Sequence, residues 1–102
     1  MTQKPRKALT LLGLAKKAGK LSWQEQANLN AIRSGKAKLL LLAGDSGQAT
    51  AKKYLDKCLF YKITVIRYAT CGELGLAIGS SPRAAVAVLD EGFARRFREL
   101  LQ

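Results

Sequence analysis

The sequence predicts an α/β fold, a three-layer α/β/α sandwich around a small mixed four-stranded sheet. Three observations lead there. Helical and strand-like segments alternate along all 102 residues. The segments Lys38–Ala43 and Ala84–Leu89 are continuously apolar at their centres, as strands covered by helices on both faces must be. Hydrophobic residues make up 48% of the chain, enough for one core, so residues 1–102 are expected to form one domain.

Each element has its own justification. Ala8, Leu11, Leu12, Ala15 and Ala18 recur at helical spacing until Gly19 stops the helix. A short strand, Lys20 to Trp23, follows. Ser22-Trp23-Gln24-Glu25 has the form of a capping box, serine as N-cap and glutamate three residues on. The helix it opens carries Glu25, Leu29 and Ile32 along one stripe, with Ala27, Asn28 and Ala31 beside it, and ends at Ser34-Gly35. The first apolar strand then runs into Gly44-Asp45-Ser46-Gly47, where Asp45 and Ser46 read as turn and N-cap residues. Gln48 to Tyr61 returns to a helical period, with Ala51, Tyr54, Leu55, Cys58 and Leu59 expected inward. Ile63 to Tyr68 is β-branched and strand-like. Thr70-Cys71-Gly72-Glu73 is a second capping-box pattern, opening a short helix that stops at Gly79, with Gly75 read as a close-packing position. Asp90 caps a last helix whose Phe93, Phe97 and Leu100 face inward.

Charge is the informative quantity for function. Lysine and arginine number 18 against 7 acids, a net charge of +11. Such an excess repels itself in a compact state and is usually retained for an anionic partner. It is also lopsided. Nine basic residues (Lys4, Arg6, Lys7, Lys16, Lys17, Lys20, Arg33, Lys36 and Lys38) lie in the first 38 positions against one acid, Glu25. Nucleic-acid or ribosome association is therefore expected, with the N-terminal third facing phosphate.

Other chemistries are closed by composition. The chain has no histidine and two cysteines without metal-ligand spacing, so no metal, no cofactor and no nucleophile–base pair is expected, and no enzyme. Neither glycine-rich loop matches a nucleotide fingerprint. Cys58 reads as core; Cys71, at a helix start, has a position that favours thiolate, but with no base or usual partner type nearby no reactive role is expected. No apolar run spans a bilayer and no signal-type core follows the basic N-terminus, so a cytoplasmic protein, monomeric and without membrane contact, is expected.

The start of the second helix is the best binding site on offer. Its N–H groups and positive dipole end favour phosphate. Gln24 and Gln26 can read base edges, while Lys20, Arg33, Lys36 and Lys38 supply charge on either side. Trp23 can stack on a base or close the helix start as an apolar contact. Glu25 is equally readable as the capping-box acid or as an RNA contact.

Four segments in order carry a resemblance: Leu11-Leu12-Gly13-Leu14-Ala15-Lys16-Lys17-Ala18-Gly19-Lys20, Ala31-Ile32-Arg33-Ser34-Gly35-Lys36-Ala37-Lys38-Leu39, Gly72-Glu73-Leu74-Gly75-Leu76-Ala77-Ile78-Gly79, and Ala85-Val86-Ala87-Val88-Leu89-Asp90-Glu91-Gly92-Phe93. Together they resemble the kink-turn-binding ribosomal protein family of the L-seven-Ae type, and within it the bacterial YlxQ-like branch. The resemblance implies an α/β/α sandwich that binds structured RNA without catalysis. It implies ribosomal RNA or an mRNA element as partner, with the ribosome as setting. In that family a Gly-x-Asn-Glu-x-x-Lys motif at the start of the second helix meets the sheared G·A pairs of a kink-turn. Here those positions hold Gln24, Gln26, Ala27 and Asn30. Gln26 keeps an amide of longer reach, and Ala27 cannot accept a hydrogen bond from guanine. The loop before the last strand, which the family packs against nucleotides at the bend, is Gly79 to Arg83, more polar than usual but with the cation of Arg83. The competing expectation is a protein-interaction module of the translation machinery with only non-specific RNA affinity.

Overall fold

The structure is a computed structural model that describes residues 3–102. Its elements run α1 (Gln3–Lys17), β1 (Leu21–Ser22), α2 (Glu25–Ser34), β2 (Leu39–Leu42), α3 (Gln48–Tyr61), β3 (Val65–Arg67), α4 (Cys71–Ala77), β4 (Ala85–Val88) and α5 (Glu91–Leu101). The alternation read from the sequence is the one observed. The sheet order is β1-β4-β2-β3, with β2 and β3 parallel and β4 antiparallel to both its neighbours.

Side-chain alternation on β2 and β4 sorts the helices into two layers. Leu39, Leu41, Val86 and Val88 point to one face and pack with Leu11, Leu12, Leu74 and Phe97 from α1, α4 and α5. Leu40, Leu42, Ala85 and Ala87 point to the other and meet Ile32, Tyr54 and Cys58 from α2 and α3. The four leucines of β2 are wholly buried, each contributing about 1.5–3 kcal/mol of apolar transfer. A strand sealed on both faces has no polar side to show, hence the unbroken run of leucines.

Several local expectations are corrected. Helix α1 is already formed at Gln3, well before Ala8. Pro5 is tolerated because it lies in the first turn, where its missing N–H has no intrahelical partner to lose. The Ser22–Glu25 capping box is not made. Ser22 belongs to β1, its hydroxyl is taken by Asn28, and Gln24 is the N-cap with no side-chain bond. Of the expected α2 stripe, Ile32 is buried and Leu29 packs at the edge of the core, while Glu25 is exposed; Asn28 and Ala31 beside it complete the buried face. Helix α3 is capped by the backbone of Gly47, while Ser46 donates back to the Ala43 carbonyl. Leu55 and Leu59 of α3 face solvent, since the ridge of Ala51, Tyr54 and Cys58 already fills the space above β2.

Other expectations hold. The Thr70–Glu73 capping box has both reciprocal bonds, and Asp90 caps α5 through the Phe93 N–H. Cys58 is buried, and burial pushes its thiol up to about 11.

Candidate nucleic-acid interface

The first turn of α2 leaves backbone donors open. Its first helical bond runs from the Asn28 N–H to the Gln24 carbonyl, so the N–H groups of Glu25, Gln26 and Ala27 have no intrahelical acceptor. No side chain caps them. An uncapped helix start with its dipole's positive end outward is a favourable place for a phosphate or a base-edge acceptor.

Buried groups hold that helix start in place. Asn28 is the one polar side chain wholly buried among the described residues. Its Oδ1 accepts from the Ser22 hydroxyl at 2.6 Å; its Nδ2 donates to the Tyr54 hydroxyl at 3.1 Å and to the Ala85 carbonyl at 3.2 Å. The Ala85 carbonyl can only accept, which fixes the orientation of the amide. One residue thus ties β1, α3 and the first residue of β4 to α2. The β1–β4 register, Ser22 opposite Ala87, brings the chain entering α2 alongside the start of β4. The loop Gly79–Arg83 that feeds β4 is therefore at the same end of the sheet.

That loop is itself organised. The Arg83 guanidinium donates to the hydroxyls of Ser80 at 3.1 Å and Ser81 at 3.3 Å. Its backbone is tied to α4 by the Ser80 N–H on the Gly75 carbonyl and the Arg83 N–H on the Cys71 carbonyl. Gly75 makes this approach possible, since a Cβ there would lie 2.2 Å from the Ser81 carbonyl oxygen.

The residues singled out from the sequence fall into three places. Trp23, Gln24, Gln26, Asn30 and Arg33 share the start and outer ridge of α2. Gln26 Nε2 and Arg33 Nη1 both reach Asn30 Oδ1, at 3.3 and 3.5 Å. Trp23 is partly buried against the α1 side of the core, with Lys16 Nζ 5.7 Å from its ring centroid. Glu25 turns aside to Lys53 of α3 at 3.3 Å, an exposed pair of little energetic weight. Arg83 stands on the neighbouring loop. Lys20, Lys36 and Lys38 lie toward the other end: the Lys20 carbonyl meets the Leu89 N–H, and the Lys38 N–H meets Val88. Lys38 Nζ closes the C-terminus of α2 on the Gly35 carbonyl at 3.1 Å. The ten residues of α2 put Lys36 and Lys38 roughly 15 Å from Gln24.

The sequence shows Lys16 only as one of the basic residues of the N-terminal third, and the anchoring role of Asn28 escaped the sequence reading. For Asn28 a signal existed. A lone amide at i, followed by Ala31 and Ile32 at i+3 and i+4, is a polar group on an apolar face and needs buried partners.

The helix start does not lower the Cys71 thiol, in keeping with the expectation of no reactive role. Partial burial, a hydrogen bond to the Asp45 carboxylate and that carboxylate's charge all push its thiol above the ordinary range. Asp45 also accepts from the Cys71 N–H at 2.8 Å, and that backbone bond is the main reason its own carboxyl is held low. Cys71 is therefore expected to alkylate with iodoacetamide more slowly at pH 7.5 than a free thiol. Asp45→Asn keeps the acceptor oxygen but removes the charge, so it should speed alkylation severalfold. An unchanged or slower rate would show that Asp45 does not control the thiol.

Fold and site together define a small α/β/α protein with an open helix start at one end of its sheet. The sequence profile described as the ribosomal protein L7Ae/L30e/S12e/Gadd45 family matches residues 6–98, and the chain belongs to that family. It is 43% identical over 91 residues to a Bacillus subtilis protein named RNA-binding protein YlxQ, covering 89% of this chain and 91% of the relative. An Enterococcus faecium protein of the same name is 36% identical over 96 residues, covering 94% and 92%. Among solved structures, a Bacillus halodurans protein of unknown function superposes with a TM-score of 0.88 at 40% identity, covering 93% and 96% of the two chains. The 15.5 kD RNA-binding protein of Giardia lamblia shares the fold, with a TM-score of 0.81 at 16% identity over 97% of this chain and 85% of that one. No helix among the described residues is long and apolar enough to cross a membrane.

Proposed function

We propose that this chain binds structured RNA, and that it recognises a kink-turn or similarly bent element through the start of α2. The observation that carries the reading is the uncapped first turn of α2, flanked by the amides of Gln24 and Gln26 and by the loop bearing Arg83. Relatives named as RNA-binding proteins over nearly their whole length support it. In this reading the backbone donors, Gln24 and Gln26 meet base edges and sugar–phosphate, and Arg33 and Arg83 neutralise phosphates beside them. Lys20, Lys36 and Lys38, at the far end of the helix, extend the contact to flanking duplex. Trp23 offers an aromatic edge under Lys16, and Asn30 holds Gln26 in register. Glu25 lies beside Lys53 of α3, so its carboxylate is turned aside from the open donors of the first turn. Ribosome association follows as the setting for such an RNA, and no catalytic step is assigned.

The test is a titration against a kink-turn RNA and a straight duplex of matched length at two salt concentrations. Preference for the kink-turn should persist at the higher salt, while duplex binding collapses as released counterions are no longer favourable. Gln26→Ala should cut the preference roughly fivefold, the worth of about 1 kcal/mol of hydrogen bonding. Equal loss on both RNAs would remove base reading from Gln26. Equal wild-type affinity for both would remove kink-turn recognition altogether.

A further inference from the structure

Helix α3 is apolar on two faces, and only one of them is used. Ala51, Tyr54 and Cys58 enter the core, but Leu59 and Phe60 are 81% and 77% exposed and Leu55 is 39% exposed. Leu55 and Leu59, four residues apart, form one ridge, with Phe60 beside it stacked edge-on against Tyr61. Leu59 and Phe60 near the C-terminal end of the helix, with Leu55 one turn before Leu59, expose more large apolar surface than solvent alone justifies.

The rim of this patch says what can cover it. Lys52, Lys57 and Lys62 stand around it on the same helix and its C-cap. The one acid among them, Asp56, is already engaged by Lys52 at 2.6 Å. Arg67 of β3, the edge strand of the sheet, borders the hollow beside Leu55. The surround is thus strongly cationic, on a molecule of net charge +11, and two such faces would repel each other. A second copy of the chain is the wrong occupant. RNA fits the rim, and the exposed Phe60 ring can take a base. Leu55 and Leu59 offer neither a ring nor a hydrogen bond and would stay unmatched against RNA, whereas apolar side chains of a protein segment cover all three.

We propose that the outer face of α3, centred on Leu59 and Phe60, docks a protein segment whose apolar side chains are flanked by aspartate or glutamate. The site is separate from the start of α2. The Glu25–Lys53 pair marks where α2 begins alongside α3, and Leu59 lies six residues farther along, roughly 9 Å. A segment docked there leaves the start of α2 open to RNA.

The experiment places a photo-crosslinking phenylalanine analogue at Phe60 of the full chain in cells, with the same analogue at Arg95 on the opposite helical layer as control. The expected result is a discrete protein adduct from position 60 alone, surviving nuclease, with the linked peptide carrying apolar residues among acids. A synthetic peptide of that sequence should bind the purified protein at least tenfold more weakly after Leu59→Ser or Lys57→Glu. Both substitutions are at exposed positions, and matched unfolding curves would confirm the fold is intact. An adduct destroyed by nuclease would make this an RNA face, and one of twice the chain's mass would make it a self-association face. No adduct above the Arg95 control, or a peptide indifferent to both substitutions, would overturn the proposal as well.

Discussion

Asn28→Ala is expected to lower the unfolding free energy by about 2–4 kcal/mol, among the largest losses for any single residue here. The reason is what it leaves behind. The Tyr54 hydroxyl, in a side chain only 2% exposed, loses the Nδ2–H that it accepts, and the Ala85 carbonyl loses a donor in the same step. The Ser22 hydroxyl loses its acceptor. Each unsatisfied buried group costs about 1–3 kcal/mol, and the missing amide adds a small cavity. Urea unfolding followed by circular dichroism measures the total, and a double-mutant cycle identifies its origin. Tyr54→Phe removes the stranded hydroxyl, so Asn28→Ala with Tyr54→Phe should cost less than the two single losses added together, by about 1 kcal/mol. Strict additivity, or a loss below 1 kcal/mol, would mean that the amide network does not hold α2 against β4. The same variant should also bind a kink-turn RNA with less preference over duplex, since the donors of the first turn would lose their fixed position relative to Arg83.

Asn28 also marks the limit of what was legible in the chain. The order of nine elements and the sorting of helices about a mixed sheet follow from hydrophobic period and strand composition, because burial on both faces of β2 and β4 leaves little choice of side chain. Local hydrogen-bond patterns were less secure. Thr70–Glu73 and Ser22–Glu25 both have the form of a capping box, yet only the first is one. Nothing competes for the Thr70 hydroxyl, whereas Ser22 is drawn into β1 and bonds to an amide six residues on, a tertiary contact with no local trace. Helix α3 shows the same limit for packing. Its apolar residues fill more than half of its circumference, so periodicity could not tell whether the ridge of Ala51, Tyr54 and Cys58 or that of Leu55 and Leu59 meets the sheet. For the site, the basic N-terminal third was visible as charge, but not its division between the two ends of α2. That division depends on the helix running the length of the sheet, with Lys38 turned back onto Gly35. Arg83 illustrates the converse. The sequence offers it as a free cation, and the fold binds it to Ser80 and Ser81, so it arrives at any phosphate already oriented.

The tightest contact behind that orientation is at Gly75, and it supports an equally sharp expectation. In an isolated helix, glycine to alanine stabilises by about 1 kcal/mol. At Gly72, one turn earlier in α4, the nearest atom to a new Cβ is Thr70 Oγ1 at 3.9 Å, an ordinary contact. Gly72→Ala is therefore expected to be neutral or mildly stabilising. At Gly75 the same methyl would lie 2.2 Å from the Ser81 oxygen, 2.7 Å from its carbonyl carbon and 2.9 Å from Pro82 Cα. All three are backbone atoms and cannot rotate away. Relief requires the Gly79–Arg83 loop to move, against its bonds from Ser80 N–H to Gly75 and from Arg83 N–H to Cys71. Gly75→Ala should accordingly destabilise by about 1–3 kcal/mol despite its better helix propensity. For a domain of this size each kcal/mol corresponds to roughly 4–8 °C in Tm, so thermal unfolding of the two alanine variants should separate them clearly. A displaced loop also carries Arg83 with it. Gly75→Ala should then lose preference for the bent RNA while its salt-dependent binding to straight duplex stays near the wild-type level, because no charge has been removed. If Gly75→Ala unfolded at the same temperature as Gly72→Ala, the close packing of α4 on this loop would be refuted. If it unfolded early but kept its RNA preference, the loop would be structural and Arg83 would have no part in recognition.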